Sequence, residues 1–202
     1  MFFWATLLAT LLHLDKFHLG AGGTAARVAG WAWLIVYIVL PPLTTLGLIR
    51  QRMAGGSDSP RVALLPRAYR LALLLTGIAL LAVGQVVFVA PGVGDDIWPW
   101  PVTSLTMRAM AAWMLALGTA LLAIAWENDA DRIVPGALGI VPGPALLAIG
   151  LARFPPDDWR AGAVYVVVLA AVASLGLLGL SFWRRWLSST RAVPTPAAIP
   201  ES

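Results

Sequence analysis

Cysteine is absent from this chain of 202 residues. That excludes disulfides, thiolate catalysis, Cys-type zinc sites and Cys-ligated iron–sulfur clusters. Charge is scarce: Asp, Glu, Lys and Arg make up 12% of the chain, about half the roughly 25% usual for soluble domains. Histidine occurs only twice, as His13 and His18, and Lys16 is the sole lysine among 14 basic residues. No P-loop, HExxH, GxSxG or dinucleotide fingerprint is present. No catalytic residue, cofactor or metal is therefore assigned. A Ser-His-Asp set assembled from Ser104, His18 and Asp15 has no support in their spacing.

Apolar residues are abundant, at 59% of the chain, and mean hydropathy is +0.81. A soluble domain of this size could not bury so much apolar surface, so an ordinary cytosolic enzyme is excluded, as are a disordered chain and a collagen-like fibre. The formal charge of +4 does not point to nucleic acid, because the basic residues sit in loops between apolar runs instead of forming a patch. The expected partner is the lipid bilayer. The dominance of Arg, Ala, Gly and Pro fits the coding bias of a GC-rich bacterium.

A bilayer core takes about 20 apolar residues as a helix. Six segments approach that length: Met1 to Leu19, Arg27 to Ile49, Leu71 to Val89, Leu105 to Trp126, Ile133 to Phe154 and Ala161 to Trp183. The fold class is thus an all-α polytopic transmembrane bundle of about six spans, with residues 1–187 as the bundle and 188–202, which contain Pro194, Pro196 and Pro200, as a disordered tail. The first segment is apolar only to Leu12, too short to span alone. It reads as a membrane segment whose start lies upstream of Met1, or as a signal peptide, although no Lys or Arg precedes its apolar run.

Loop charge sets the orientation. With six spans, Arg50, Arg52, Arg61, Arg67, Arg70, Arg132, Arg184, Arg185 and Arg191 share one side, against Lys16, Arg27, Arg108, Arg153 and Arg160 on the other. The positive-inside rule puts the first group, and both termini, in the cytoplasm, and the protein in the bacterial inner membrane. Tryptophans cluster at the segment ends (Trp31, Trp33, Trp98, Trp100 and Trp159 outside; Trp126, Trp183 and Trp186 inside) as an aromatic belt.

Small residues recur at four-residue spacing, which lets helices approach closely: Ala112, Ala116 and Ala120; Gly139 and Gly143; Ala170 and Ser174. Pro41-Pro42 and Pro142-Gly143-Pro144 should kink or break their helices, since proline lacks an N–H and crowds the preceding turn. A broken helix at membrane depth exposes backbone groups that a transporter can use.

Two polar clusters stand out, both expected on the outer side. In His13-Leu14-Asp15-Lys16-Phe17-His18, Asp15 and His18 share a helix face, whereas the two histidines lie about 140° apart and cannot both reach one ion. The second cluster runs from Asp95-Asp96 through Trp98-Pro99-Trp100-Pro101-Val102-Thr103-Ser104-Leu105-Thr106-Met107-Arg108. Thr103 or Ser104 can cap the following helix. Arg108 falls one turn inside it and needs a partner, because a lone charge in hydrocarbon is costly; Asp15, Asp95 and Asp96 are the expected partners. At the other end, Glu127, Asp129 and Asp131 oppose the helix dipole, and Arg132 or the Arg50–Arg70 loop should compensate. Gln85 and Tyr37 are candidates for interhelical hydrogen bonds.

The Trp98–Arg108 run, with Ala111-Ala112-Trp113 and Gly118, resembles a Trp-Pro-Trp-Pro…Leu-Thr-x-Arg signature of uncharacterised multi-pass proteins of GC-rich bacteria. The His13–His18 run and Trp33 to Pro42 resemble their preceding segments. The pattern often has Pro where Ser104 stands and often begins further upstream. The resemblance implies no activity.

Three functions fit. The first is a transporter-like protein that binds or translocates a small molecule or ion, with His13, Asp15, His18 and Arg108 lining an outer polar site. The second is a non-catalytic subunit of a membrane assembly, or a homo-oligomer, working through small-residue faces. The third, weakened by the missing motifs, is a lipid-modifying intramembrane enzyme with His13 or Asp15 as base. A cavity holding the four polar groups favours the first or third; polar groups satisfied by one another, beside an exposed Gly/Ala face, favour the second.

Overall fold

The computed structural model describes residues 2–17, 19–20, 23–55, 60–61, 63–95, 98–156 and 159–191, the side chains at 186 and 189–191 excepted. Among them the chain is all helix, without a strand: α1 (Phe2–Leu11), α2 (Thr24–Met53), α3 (Arg67–Val89), α4 (Ser104–Glu127), α5 (Val134–Ile140), α6 (Pro142–Arg153) and α7 (Trp159–Arg191). Short 3-10 turns occupy Leu14–Lys16 and Pro91–Gly94. This is the expected polytopic helical bundle. Five stretches are long and apolar enough to cross a bilayer: α2, α3, α4, α5 and α6 together, and α7.

The first segment departs from the other five. Its helix stops at Leu11, because the apolar run ends at Leu12 and His13–Lys16 turn away. Ten residues rise about 15 Å, half a hydrocarbon core. The helix lies against the half of α4 that begins at Ser104. Phe2 meets Trp113, about halfway along α4, with ring centroids 4.3 Å apart.

α3 and α4 form the tightest pair, an antiparallel hairpin. A Cβ at Gly118 would stand 2.8 Å from the Gly77 carbonyl oxygen, and one at Gly84 would stand 3.2 Å from the Ala111 carbonyl oxygen. These glycines let the two backbones touch. Thr103 caps α4: its hydroxyl accepts from the Thr106 amide at 3.3 Å. Asn128 ends the helix in the left-handed region, φ 51°, where its short polar side chain is tolerated.

The small-residue seams fall elsewhere than their spacing predicts. Ala112 is buried, but the contact with α3 runs through Ala111, Leu115 and Gly118. A Cβ at Gly139 or Gly143 would meet nothing within 4 Å, so this pair packs on no described residue. Ala170 and Ser174 are exposed, and the Ser174 hydroxyl bonds back to the Ala170 carbonyl. α7 instead packs with Gly176 and Gly179 against Ala137, Ile140, Val141 and Tyr69.

Of the two proline pairs, only one interrupts its helix. Pro142-Gly143-Pro144 separates α5 from α6 at Val141. α2 continues through Pro41 and Pro42. There Thr44 donates to the Leu40 carbonyl at 2.8 Å and Thr45 to the Pro41 carbonyl at 2.8 Å. α7 continues to Arg191, past the expected start of the tail at 188; residues 192–202 lie outside the described residues.

Two apolar cores result. One joins α3, α4, α5 and α7 around Leu73, Leu121, Ile133 and Val172. The other joins α1, α3 and α4 around Ala9, Val87, Met107 and Ala111. α2 contributes to neither, and Pro41 is its only buried residue. It rests on α1 through Trp–Thr hydrogen bonds: Trp4 to Thr45 at 3.0 Å and Trp33 to Thr10 at 3.1 Å.

Candidate functional site

The charged residue inside α4 organises the best-defined polar cluster. Arg108 enters one turn after the Thr103 cap, beside the end of α3. The last carbonyls of a helix have no partner within it. Arg108 Nε donates to one of them, the Phe88 oxygen, at 3.0 Å. Its Nη1 donates to His13 Nε2 at 2.9 Å.

His13 is only 9% exposed, and both ring nitrogens are engaged. Nδ1 stands 3.0 Å from the Ala9 carbonyl oxygen. A carbonyl only accepts and a guanidinium only donates. The ring is therefore the neutral tautomer with its proton on Nδ1 and its lone pair on Nε2. That lone pair is occupied by Arg108, so His13 has none to offer a substrate as a base. The residues meet because α1 ends at this depth and its last turn presents His13 toward α4.

Of the other residues expected here, Asp15 turns outward. Its carboxylate pairs with Lys16 at 3.1 Å, both side chains being about two-thirds exposed. The hydrogen bond from Lys16 holds the Asp15 carboxyl below its usual range. This corrects the expectation that Asp15 partners Arg108; among the described residues the partners are an imidazole and a backbone carbonyl. His18 and Asp96 lie outside the described residues. No three His, Asp or Glu side chains among the described residues group so as to hold a metal ion. The helix broken at Val141 lies away from the cluster: α5 and α6 pack on α7, and α5 meets α4 at its other end, where Gly136 faces Ile124.

The opposite end of the hairpin repeats the device. Arg70, near the start of α3, donates from Nε to the Ala125 carbonyl near the end of α4 at 2.9 Å. Arg132 pairs with Glu127. These are the cations expected to offset the acidic residues after α4. The hairpin is thus clamped at both ends by an arginine from one helix start onto a free carbonyl of the other helix end.

Sequence reasoning missed Thr10, Trp33, Ala9 and Phe88. Thr6 and Thr10, one turn apart in an otherwise apolar helix, were the available signal for a face turned toward protein. The two backbone carbonyls carried none. Gln85 is exposed on α3 and has no hydrogen bond to another described residue.

Trp98 and Trp100 turn toward Tyr165 of α7, with centroids 5.2 and 5.5 Å away. Trp100 donates to the Phe154 carbonyl at 2.8 Å. They tie the loop before α4 to α6 and α7 instead of lining a cavity beside Arg108.

No protein-family model, curated protein or solved structure matches this chain. The geometry alone carries the functional argument.

Proposed function

We propose that this multi-pass membrane protein is a non-catalytic subunit of a membrane assembly, with α2 as its contact helix. One observation carries the reading. In the most apolar stretch of α2 only 6% of residues are buried in the molecule, against 39% for α4. Helix association in lipid depends on packing and hydrogen bonds, which α2 makes chiefly with the short α1. Its Ala29, Val36, Leu43 and Gly47 are exposed and recur at intervals that keep them on one face, offset from the side on which Trp33 and Tyr37 meet α1. The His13–Arg108 cluster supports the same reading: its groups are spent on one another and on the hairpin. The arginine excess at the Arg50–Arg70 end supports a cytoplasmic placement of that end in a bacterial inner membrane. The resemblance to uncharacterised multi-pass proteins is compatible with this role and adds no activity to it.

The lack of cysteine makes the test clean. Leu43→Cys and, as a control on the exposed face of α7, Val167→Cys are labelled in native membranes with a benzophenone maleimide and irradiated. A polypeptide adduct at position 43, absent at 167, is the expected result. Mass spectrometry of the adduct distinguishes a second copy from a different chain. Lipid adducts alone at both positions refute the assignment.

A second reading, binding or translocation of a small anion, has one specific observation in its favour. Arg108 uses two of its five N–H donors on described residues. Native mass spectrometry of gently solubilised protein beside Arg108→Ala tests it. A bound molecule lost in the variant would replace the subunit reading.

A further inference from the structure

A concavity lies at the start of α2. It is a groove of about 490 Å³ lined by Leu19, Thr24, Arg27, Val28, Trp31, Ala32 and Ile35. Leu19 forms one wall: its side chain packs where Gly30 leaves room, 3.2 Å from the position of a Cβ there. The Leu19 carbonyl accepts from the Trp31 indole at 3.2 Å, fixing the ring at the rim. Arg27 is exposed at the head of the groove and has no ion-pair partner among the described residues. No side chain caps the first turn of α2. Below Arg27 the lining is apolar.

We propose that this groove holds one anionic phospholipid, its phosphate on Arg27 and one acyl chain along Val28, Ala32 and Ile35. Two observations choose this occupant. Charge complementarity places an anion at Arg27, beside the Thr24 hydroxyl. Length then separates a lipid from a helix: Thr24 to Ile35 spans about 16 Å, close to the ~15 Å of one leaflet. A partner helix would need a seam along the full span. The groove also lies on a different face of α2 from Ala29, Val36, Leu43 and Gly47, so the proposal is independent of the assembly role. A tryptophan at the rim suits the headgroup level, where its ring is half wet and half apolar.

The test uses native mass spectrometry of the full chain in detergent, with phosphatidylglycerol or phosphatidylcholine of identical acyl chains added. The wild type should retain one phosphatidylglycerol about fivefold more readily than phosphatidylcholine, the ratio given by about 1 kcal/mol per basic residue near an anionic headgroup. Arg27→Gln should abolish the preference and Arg27→Lys should keep it. Ile35→Trp, which fills the floor of the groove at an exposed position, should reduce retention of both lipids with melting unchanged. Unchanged preference in Arg27→Gln, or its loss instead in Arg50→Gln at the far end of α2, overturns the site. Displacement of the lipid by inorganic phosphate, with Ile35→Trp behaving as wild type, would show a free-anion site and overturn the lipid assignment.

Discussion

The two ends of the α3–α4 hairpin make the same bond and put it to different use. At one end Arg70 holds the Ala125 carbonyl; at the other Arg108 holds the Phe88 carbonyl. Arg70 is exposed at a polar loop beside Glu127 and Arg132, whereas Arg108 is partly buried and shares its guanidinium with His13 of α1. The clamp is a property of the hairpin. What distinguishes the Arg108 end is that α1 attaches itself to the clamp, and α2 hangs on α1. Arg108 therefore adds a polar link to the apolar core around Ala9 and Met107 that joins the well-packed half of the molecule to α1, and through it to α2.

Breaking each clamp in turn exposes this difference. Arg108→Leu leaves the buried His13 Nε2 and the Phe88 carbonyl without a donor, and an unsatisfied buried acceptor costs about 1–3 kcal/mol. Arg70→Leu frees only one such acceptor, the carbonyl of buried Ala125, so its cost should be about half that of Arg108→Leu. Unfolding in mixed detergent and dodecyl sulfate measures both. Limited proteolysis between α1 and α2 should accelerate in Arg108→Leu only. Equal losses of stability in the two variants would show that α1 gains nothing from the clamp.

A double-mutant cycle sharpens the same contrast by asking which residue Arg108 addresses. His13→Leu combined with Arg108→Leu should show a coupling of about 0.6 kcal/mol, the average for polar contacts between membrane helices. Asp15→Asn combined with Arg108→Leu should be additive within about 0.3–0.5 kcal/mol, as for residues that share no contact. Coupling to Asp15 instead would restore the carboxylate partner suggested by placing both residues on the same side of the membrane.

That suggestion failed for a readable reason. The five long spans were legible because each needs only an apolar run of bilayer length, and the observed helices keep within a few residues of those runs except at the end of α7, which continues to Arg191. The break at Pro142 and the cap at Thr103 were legible because both are local. The partner of Arg108 was not. A charge in hydrocarbon advertises its need for a partner, but backbone carbonyls leave no mark in a sequence, and Phe88 answers that need through its backbone. A neutral imidazole was the less obvious choice beside an aspartate two residues away. The small-residue seams misled similarly: Gly139 and Gly143 have the spacing of a packing motif, yet Gly77, Gly84, Gly118, Gly176 and Gly179 make the close approaches. Spacing shows that a face is flat, and only the packed structure shows which flat faces meet.

The smallest expected effect belongs to Asp15, and its sign follows from its surroundings. Lys16 lowers the Asp15 carboxyl from the ordinary value of 3.8. A carboxyl lowered on folding contributes stability above its unfolded pKa and loses it as pH falls through the folded one. Any contribution is therefore present at neutral pH and disappears only below about pH 4. The pair is also exposed to solvent, where such bridges are screened and contribute little. The melting midpoint of Asp15→Asn should track that of the wild type from pH 7 down to pH 5, while Arg108→Leu stays below both throughout. A fall in Asp15→Asn at neutral pH would mean that the carboxylate, and with it the turn Leu14–Lys16 after α1, bears on the clamp that holds α1 in place.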